Sequence, residues 1–141
     1  MTEDALLIFA EDDDEDWILI EDALNQCPQV HWERVKDGEE LLKRLRRDPL
    51  PHMIMLDLRM PRRDGFWALD QIRKSKRLRG VPITIMTTST RESDVVGSYS
   101  GGANAYMTKP PSFQDMAAVL AKAHEFWTHV ARVPRRETSV A

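Results

Sequence analysis

The sequence lacks most of the features that mark secreted, membrane-bound or nucleic-acid-binding proteins. It contains a single cysteine, Cys27, so no internal disulfide can form. No apolar run approaches the roughly 18 to 20 residues that cross a bilayer, and the start lacks the basic and then apolar pattern of a secretion signal. The net charge of −3 provides no basic excess for binding nucleic acid. We therefore expect a cytoplasmic protein with no membrane or nucleic-acid partner.

The composition is that of a folded domain, and the charges are unevenly distributed. With 141 residues, 42% of them hydrophobic, the chain is long enough to bury a core by itself. Six consecutive acids occupy 11–16, whereas basic residues gather at 43–47, 62–63, 73–79 and 132–136. We expect one domain over residues 1–131. The remaining residues, 132–141, have little apolar content and are predicted to form a tail.

Short apolar runs alternate with helical patterns along the chain. Strands are predicted at 5–10, 30–35, 53–56, 83–86 and 105–107. The central run, Met-Ile-Met-Leu, is apolar at every position, as expected for a strand that is buried on both faces of a parallel sheet. The alternation predicts a doubly wound, flavodoxin-like α/β fold with a five-stranded parallel sheet and helices on both faces.

The last helix is predicted from its cap and its apolar pattern. Ser112 is followed three residues later by Asp115, which fits a capping box, and the helical pattern extends to Val130. This helix has an apolar face for the sheet and a second apolar stripe. The stripe consists of Val119, Ala123, Phe126 and Val130. A helix with two apolar faces predicts a homodimer, and the alternative is that Phe126 and Val130 pack back on the same chain.

Polar side chains follow four of the five predicted strands. Glu11 and Asp12 come after the first strand, Asp57 after the third, Thr87 after the fourth, and Lys109 after the fifth. Because the carboxyl ends of parallel strands meet at one edge of a sheet, these side chains should lie together where ligands of such sheets bind.

A cluster of this kind suits phosphoryl transfer. Crowded carboxylates recruit a cation, and an oxygen-rich site favours Mg²⁺. A carboxylate beside the ion can act as a nucleophile towards a phosphoryl group, with a lysine and a hydroxyl to stabilise the phosphoryl oxygens. Each residue taken singly has a commoner role, such as a solvated acidic loop or a helix cap. Their joint placement at strand ends favours a site.

The segment Asp57 to Gly65 reads DLRMPRRDG and is similar to the D-x-x-M-P-x-x-D-G signature of bacterial response-regulator receiver domains. The resemblance covers residues 6–130 and includes the acidic pair, the hydroxyl and the lysine in the same order. It implies that Asp57 accepts a phosphoryl group from a histidine kinase or a phosphotransfer protein. It further implies a Mg²⁺ ion held by the side chains of Glu11, Asp12 and Asp57 and by the backbone carbonyl of Arg59.

The same resemblance implies a switch and not an enzyme, with slow self-dephosphorylation at most. Thr87 and Lys109 would bind the phosphoryl group, and Tyr106 would turn inward and alter the surface formed by the fourth helix, fifth strand and fifth helix. Pro110 would follow a cis peptide bond. Asp13 is either a substitute metal ligand or part of the start of the first helix.

The kinase that would phosphorylate the protein and the target that it would act on are predicted less specifically. Residues 74–82 and 87–89 resemble single-domain regulators that partner phytochrome-type histidine kinases. A chemotaxis-type or relay receiver without a phytochrome kinase is the alternative. Because the chain ends soon after Val130, with no length for a DNA-binding domain, we expect the output to be protein contact.

Three other functions fit parts of the pattern. A phosphatase or phosphotransferase with an aspartyl nucleophile would carry a partner acid where this chain has Arg59. A flavodoxin-like nucleotide binder needs a Gly, Ser or Thr-rich phosphate loop after the first strand, and the acids at 11–16 would repel a phosphate there. A degenerate receiver that acts only as an interaction module is opposed by the intact set of Asp57, Thr87 and Lys109.

Overall fold

Strands and helices alternate along the chain as the apolar pattern predicts. In a computed structural model of the protein, the described residues are 5–27 and 30–134. The elements are β1 (Ala5–Ala10), α1 (Asp14–Leu24), β2 (Val30–Val35), α2 (Gly38–Arg44), β3 (Met53–Leu56), α3 (Gly65–Lys74), β4 (Ile83–Thr87), α4 (Glu92–Ser100), β5 (Ala105–Thr108) and α5 (Phe113–Glu125), followed by a short π-helix (Phe126–Val130). None of the described helices is long and apolar enough to cross a membrane.

The strands form one parallel sheet in the order β2-β1-β3-β4-β5. The chain runs outward from β1 to β2 and then crosses to β3 on the other side of β1. Strand order therefore reverses between β1 and β3. The register pairs Ala10 with Leu56 at the carboxyl ends of these two strands. The residues that follow each of them lie at the crevice where ligands of such sheets bind.

The two faces of the sheet bury two separate apolar clusters. Alternate strand residues, such as Leu7 and Phe9, pack with Trp17 and Ile20 of α1 and with Leu120 of α5. The intervening strand residues face the opposite layer. There, Ile8 and Ile54 pack with Leu41 of α2 and with Leu69 and Ile72 of α3. Helices on both faces of a parallel sheet confirm the predicted fold class.

Side-chain caps start four of the helices close after the strands. Asp13, Asp37, Asp64 and Ser112 each have extended backbone, and each side chain accepts a hydrogen bond from a backbone N–H three residues later. Such caps satisfy donors that the first helical turn leaves unpaired. The cap predicted at Ser112 is confirmed. Asp13 is the N-cap of α1, so the second of its two predicted roles, at the start of the first helix, is confirmed.

The end of the chain differs from the prediction. The regular α-helix ends at Glu125, and the turn that reaches Val130 is a π-helix. This wider turn brings the rings of His124 and His129 to 5.9 Å between centroids. The three described residues of the predicted tail, 132–134, are neither helix nor strand, and 135–141 lie outside the described residues.

Candidate functional site

Backbone hydrogen bonds extend the sheet by one residue and fix the site at its carboxyl edge. Asp57 N donates to Ala10 O (3.1 Å), and Lys109 N donates to Thr87 O (2.7 Å). Glu11 N donates to β2 in the same way. Because these residues are held by the strands themselves, their side chains converge on one pocket.

Lys109 binds three carboxylates in this pocket. Its Nζ lies 2.7 Å from Asp57 Oδ2, 2.8 Å from Asp16 Oδ2 and 2.5 Å from Glu11 Oε1. The lysine side chain is only 5% exposed. Burial disfavours its charged form, but the hydrogen bonds to Asp16, Asp57 and Glu11 outweigh burial and raise the pKa of Lys109. The ammonium group is therefore a fixed positive charge beside Asp57.

The carboxylates of Glu11, Asp12 and Asp57 form a cluster that can hold a cation. One oxygen from each lies within 4.8 Å of the others. Burial raises the pKa of Glu11 to about 7, although its hydrogen bond to Lys109 lowers it and the negative charge of Asp57 raises it further. Burial raises the pKa of Asp12 too, and Asp57 adds to this effect. Acid oxygens this close together fit a hard divalent cation, which relieves their repulsion.

A hydrogen-bonded junction at Ser89 joins the ends of β4 and β5 to α4. Ser89 N donates to Thr87 Oγ1 (3.4 Å), and Tyr106 OH donates to the Ser89 carbonyl (2.9 Å). Ser89 Oγ donates to Asp94 Oδ2 (2.6 Å), near the start of α4. The bond from Ser89 and the charge of Arg59 hold the pKa of Asp94 below its usual range.

Arg59 connects this junction to the acidic pocket. Its backbone N donates to Asp57 Oδ1 (3.3 Å), and its Nη2 donates to Asp94 Oδ2 (3.2 Å). A continuous path of hydrogen bonds therefore runs from Asp57 through Arg59 and Asp94 to Ser89. The path joins the Asp57 loop to the start of α4 and, through the Ser89 carbonyl, to Tyr106 OH.

The structure brings together most of the residues that the sequence predicts. Glu11, Asp12, Asp57 and Lys109 lie in one pocket. Thr87 lies at the same edge with its side chain fully buried, and its Oγ1 bonds to Ser89. Tyr106 is linked to this edge through the same serine.

One site prediction is wrong. Among the described residues the cis peptide bond is Asp48–Pro49, so the bond before Pro110 is trans. A trans bond is the default for proline by roughly 0.5 to 1 kcal/mol, and a Lys-Pro pair in a sequence does not by itself encode the isomer. Lys109 is positioned instead by its backbone bond to Thr87.

Sequence reasoning missed the roles of Asp16, Ser89 and Asp94. A signal existed for Asp16, because it belongs to the acidic run at 11–16 that follows the first strand. No comparable signal existed for Asp94. Its partners come from two separate loops, and their meeting depends on how α4 packs.

These features are those of a known family. The chain matches the family model of the response regulator receiver domain over residues 7–121. It belongs to this family. Receiver domains are phosphoacceptor switches rather than classical enzymes; histidine kinases phosphorylate them, and they bind a divalent metal ion at an acidic pocket. The resemblance of the DLRMPRRDG segment is thereby confirmed.

Two curated relatives and two solved structures illustrate the similarity. The "Probable methanogenesis regulatory protein FilR2" of Methanothrix harundinacea is 38% identical over 111 residues, which are 75% of this chain and 70% of FilR2. Response regulator Rcp1 of Synechocystis is 34% identical over 86 residues, 61% of this chain and 58% of Rcp1. The match therefore spans less than two thirds of Rcp1.

The solved structures share the receiver fold over nearly their whole length. The crystal structure of the phosphorylated cyanobacterial phytochrome response regulator RcpA has a TM-score of 0.87 at 29% identity, covering 93% of this chain and 99% of RcpA. The Mn²⁺-bound form of response regulator Rcp1 has a TM-score of 0.84 at 27% identity, with 93% and 99% covered. Phytochrome response regulators are thus close structural neighbours of this receiver domain.

Proposed function

We propose that Asp57 is the phosphoacceptor of this receiver domain and takes its phosphoryl group from a histidine kinase or a phosphotransfer protein. The observation that carries this proposal is the 2.7 Å contact of Lys109 Nζ with Asp57 Oδ2 inside an acidic pocket. An Asp57 oxygen would form a bond to phosphorus as the phosphorus–nitrogen bond of a phosphohistidine breaks. Lys109 would offset the negative charge on the transferred oxygens.

The side chains of Glu11, Asp12 and Asp57, with the carbonyl of Arg59, would hold Mg²⁺ beside this acceptor. The bound ion would supply positive charge for the oxygens of the phosphoryl group during transfer. Lys109 Nζ contacts one carboxylate oxygen of Glu11 and one of Asp57, two of the acids that would hold the metal ion. The lysine and the metal therefore share the same carboxylates, and their combined charge sets how well the pocket accepts an anionic phosphoryl group.

The output would pass through Thr87 and the Ser89 junction. If Thr87 turns its hydroxyl to the phosphoryl oxygens, Ser89 N loses its acceptor. The carbonyl that holds Tyr106 OH belongs to the same residue, so a shift of Ser89 releases the ring to turn inward. New contacts in one state bias a two-state equilibrium of the α4–β5–α5 surface.

The phosphorylation test uses Mg²⁺ and a small acyl-phosphate donor. Intact mass should increase by one phosphoryl group in the wild type, and Asp57→Asn should remove this increase. Asp70→Asn is the matched control, because Asp70 is an exposed acid on α3 that pairs with Lys74. Undiminished labelling of the Asp57 variant would refute the assignment.

We further propose that the phosphoryl donor is a phytochrome-type histidine kinase. The similarity to RcpA and Rcp1 supports this input. Phosphotransfer from a purified phytochrome-type kinase should be faster than transfer from a chemotaxis-type kinase at equal concentrations. A faster transfer from the chemotaxis-type kinase would contradict this part of the proposal and leave the role of Asp57 untouched.

A homodimer through the last helix is the final part of the proposal. Phe126 and Val130 are 46% and 65% exposed, which leaves apolar surface that a second copy could cover. Sedimentation should show a dimer that Phe126→Asp weakens. Ile18→Asp, a change at an exposed apolar residue of α1, should leave the dimer intact. A monomer at micromolar concentration, with and without phosphorylation, would remove the idea.

A further inference from the structure

A second polar pocket lies at the edge of the sheet opposite Asp57. It has a volume of about 290 Å³ and is lined by residues that precede β4 and β5 and by the segment after the π-helix. Three arginines line it: Arg73, Arg79 and Arg132. Arg73 and Arg79 belong to one basic run of the sequence and Arg132 to another, so residues far apart along the chain meet here.

Arg73 is held rigidly at this pocket by neutral acceptors. Its Nε donates to Gly102 O (2.8 Å), and its Nη1 donates to Arg79 O (3.0 Å) and Val81 O (2.9 Å). Its Nη2 donates to Asn104 Oδ1 (3.0 Å). These contacts satisfy the geometry of the guanidinium group but provide no negative charge, so its positive charge remains uncompensated.

No carboxylate lines the pocket among the described residues. The side chains of Arg79 and Arg132 have no acidic partner there either, and both are exposed. Arg77, another exposed arginine, does have one, because it pairs with Asp48 at 2.9 Å. Three cations around one cavity without an anion repel one another, and a bound anion would relieve this repulsion.

We propose that this pocket binds a small compound with a diphosphate group. The guanidinium groups of Arg79 and Arg132 can bind phosphate oxygens through paired hydrogen bonds. Arg73 has four of its five N–H donors engaged, so it contributes mainly its positive charge, and two linked phosphates carry enough charge to offset three arginines. The volume is close to the lower limit of roughly 300 Å³ for small-molecule sites. Trp127 forms part of the wall, which gives a nucleoside diphosphate an aromatic surface for its base. The site is independent of phosphorylation at Asp57.

Titration calorimetry of the full chain with inorganic pyrophosphate in metal-free buffer tests the proposal. The double variant Arg79→Gln/Arg132→Gln should bind about tenfold more weakly or worse. Arg73 is left unchanged, since its four bonds support the local fold. Lys43→Gln/Arg46→Gln is the matched control, because it removes the same charge from exposed residues of the α2 region and should leave the affinity unchanged.

Three results would overturn the site. These are no binding by the wild type up to about 10 mM pyrophosphate, equal affinity in the Arg79→Gln/Arg132→Gln variant, and an equal loss in the control. A second titration with ADP identifies the source of the diphosphate group. Tighter binding of ADP than of pyrophosphate supports a nucleotide, and equal binding supports the diphosphate group alone. Unchanged Asp57 labelling in the double variant confirms that it remains folded.

Discussion

Lys109 carries much of the charge balance of the acidic pocket. Its single positive charge contacts Glu11, Asp16 and Asp57, and Asp12 lies in the same cluster. Two of the acids that would hold a metal ion, Glu11 and Asp57, are therefore bridged by this lysine. A buried cation in such a position affects stability as well as phosphorylation, because its removal leaves like charges facing one another.

Replacing this lysine should make stability depend on the metal. In the presence of a chelator, Lys109→Met should lower the free energy of unfolding by about 3 to 5 kcal/mol, since buried acids lose their counter-charge. Mg²⁺ should recover much of this loss. Urea unfolding with chelator and with Mg²⁺ measures both values, and Lys76→Met at an exposed site is the control. A loss of equal size in both conditions would contradict the idea that the lysine and the metal ion bind the same carboxylates.

Asp37 provides a second residue-scale prediction, on pH. Its side chain accepts bonds from Glu40 N and Arg62 Nε, each shorter than 3 Å. Burial raises the pKa of Asp37, but these bonds outweigh burial and hold it below the usual range. A lowered pKa stabilises the fold above the unfolded value of about 3.9, and the contribution is lost as the pH falls below it.

The variant Asp37→Asn should therefore be less stable than the wild type at pH 7. Because Arg62 is 60% exposed, solvent screens the pair and the expected difference is only about 1 kcal/mol. The difference should shrink in acid as the carboxylate protonates. Urea midpoints at neutral and acidic pH measure it. Asp70→Asn, at an exposed residue, should show no such dependence, and a difference that grows in acid would disprove the account.

At the scale of elements, α3 begins against the backbone of Asp57. A Cβ added at Gly65 would overlap Asp57 O and come within 2.8 Å of Leu58 Cα. The glycine of the signature segment is thus required by the close approach of a helix to the loop that carries Asp57. The spacing between Asp57 and Gly65 in the sequence reflects this contact.

Gly65→Ala should consequently affect both the fold and the site. Overpacking against backbone should lower the free energy of unfolding by about 1 to 3 kcal/mol and slow phosphorylation at Asp57. Gly80→Ala is the control, since the nearest atom to its added Cβ is a Pro134 side-chain carbon at 3.8 Å. Unfolding curves and the rate of labelling by an acyl phosphate measure the two effects. Full stability with normal labelling would show that the helix has room to move.

Much of the architecture could be predicted because local apolar runs coincide with whole elements. The first three strands have the predicted bounds. Strand ends placed the acids, Thr87 and Lys109 at one edge without knowledge of distances. The three contacts of Lys109 and the Ser89 junction depend on long-range packing, which no local pattern encodes. The π-helix at Phe126–Val130 continues a helical apolar pattern, so the sequence did not distinguish it.

At the scale of the whole molecule, two pockets of opposite charge lie at opposite edges of the sheet. The acidic pocket lies at the carboxyl ends of the strands, and three arginines line a pocket at the amino ends of β4 and β5. The small net charge of −3 conceals this separation.

The strands differ in how far solvent reaches them. Every residue of β3 is buried, whereas β5, at the edge of the sheet, is partly exposed along its length. Amide hydrogens of β3 should exchange with deuterium only when the whole domain unfolds, and those of β5 should exchange through local opening. A phosphoryl group on Asp57 would then lie at the end of the strand that opens least readily. The edge strand that carries Tyr106 would open more readily. The conformational change would therefore run from a more stable to a less stable part of the sheet.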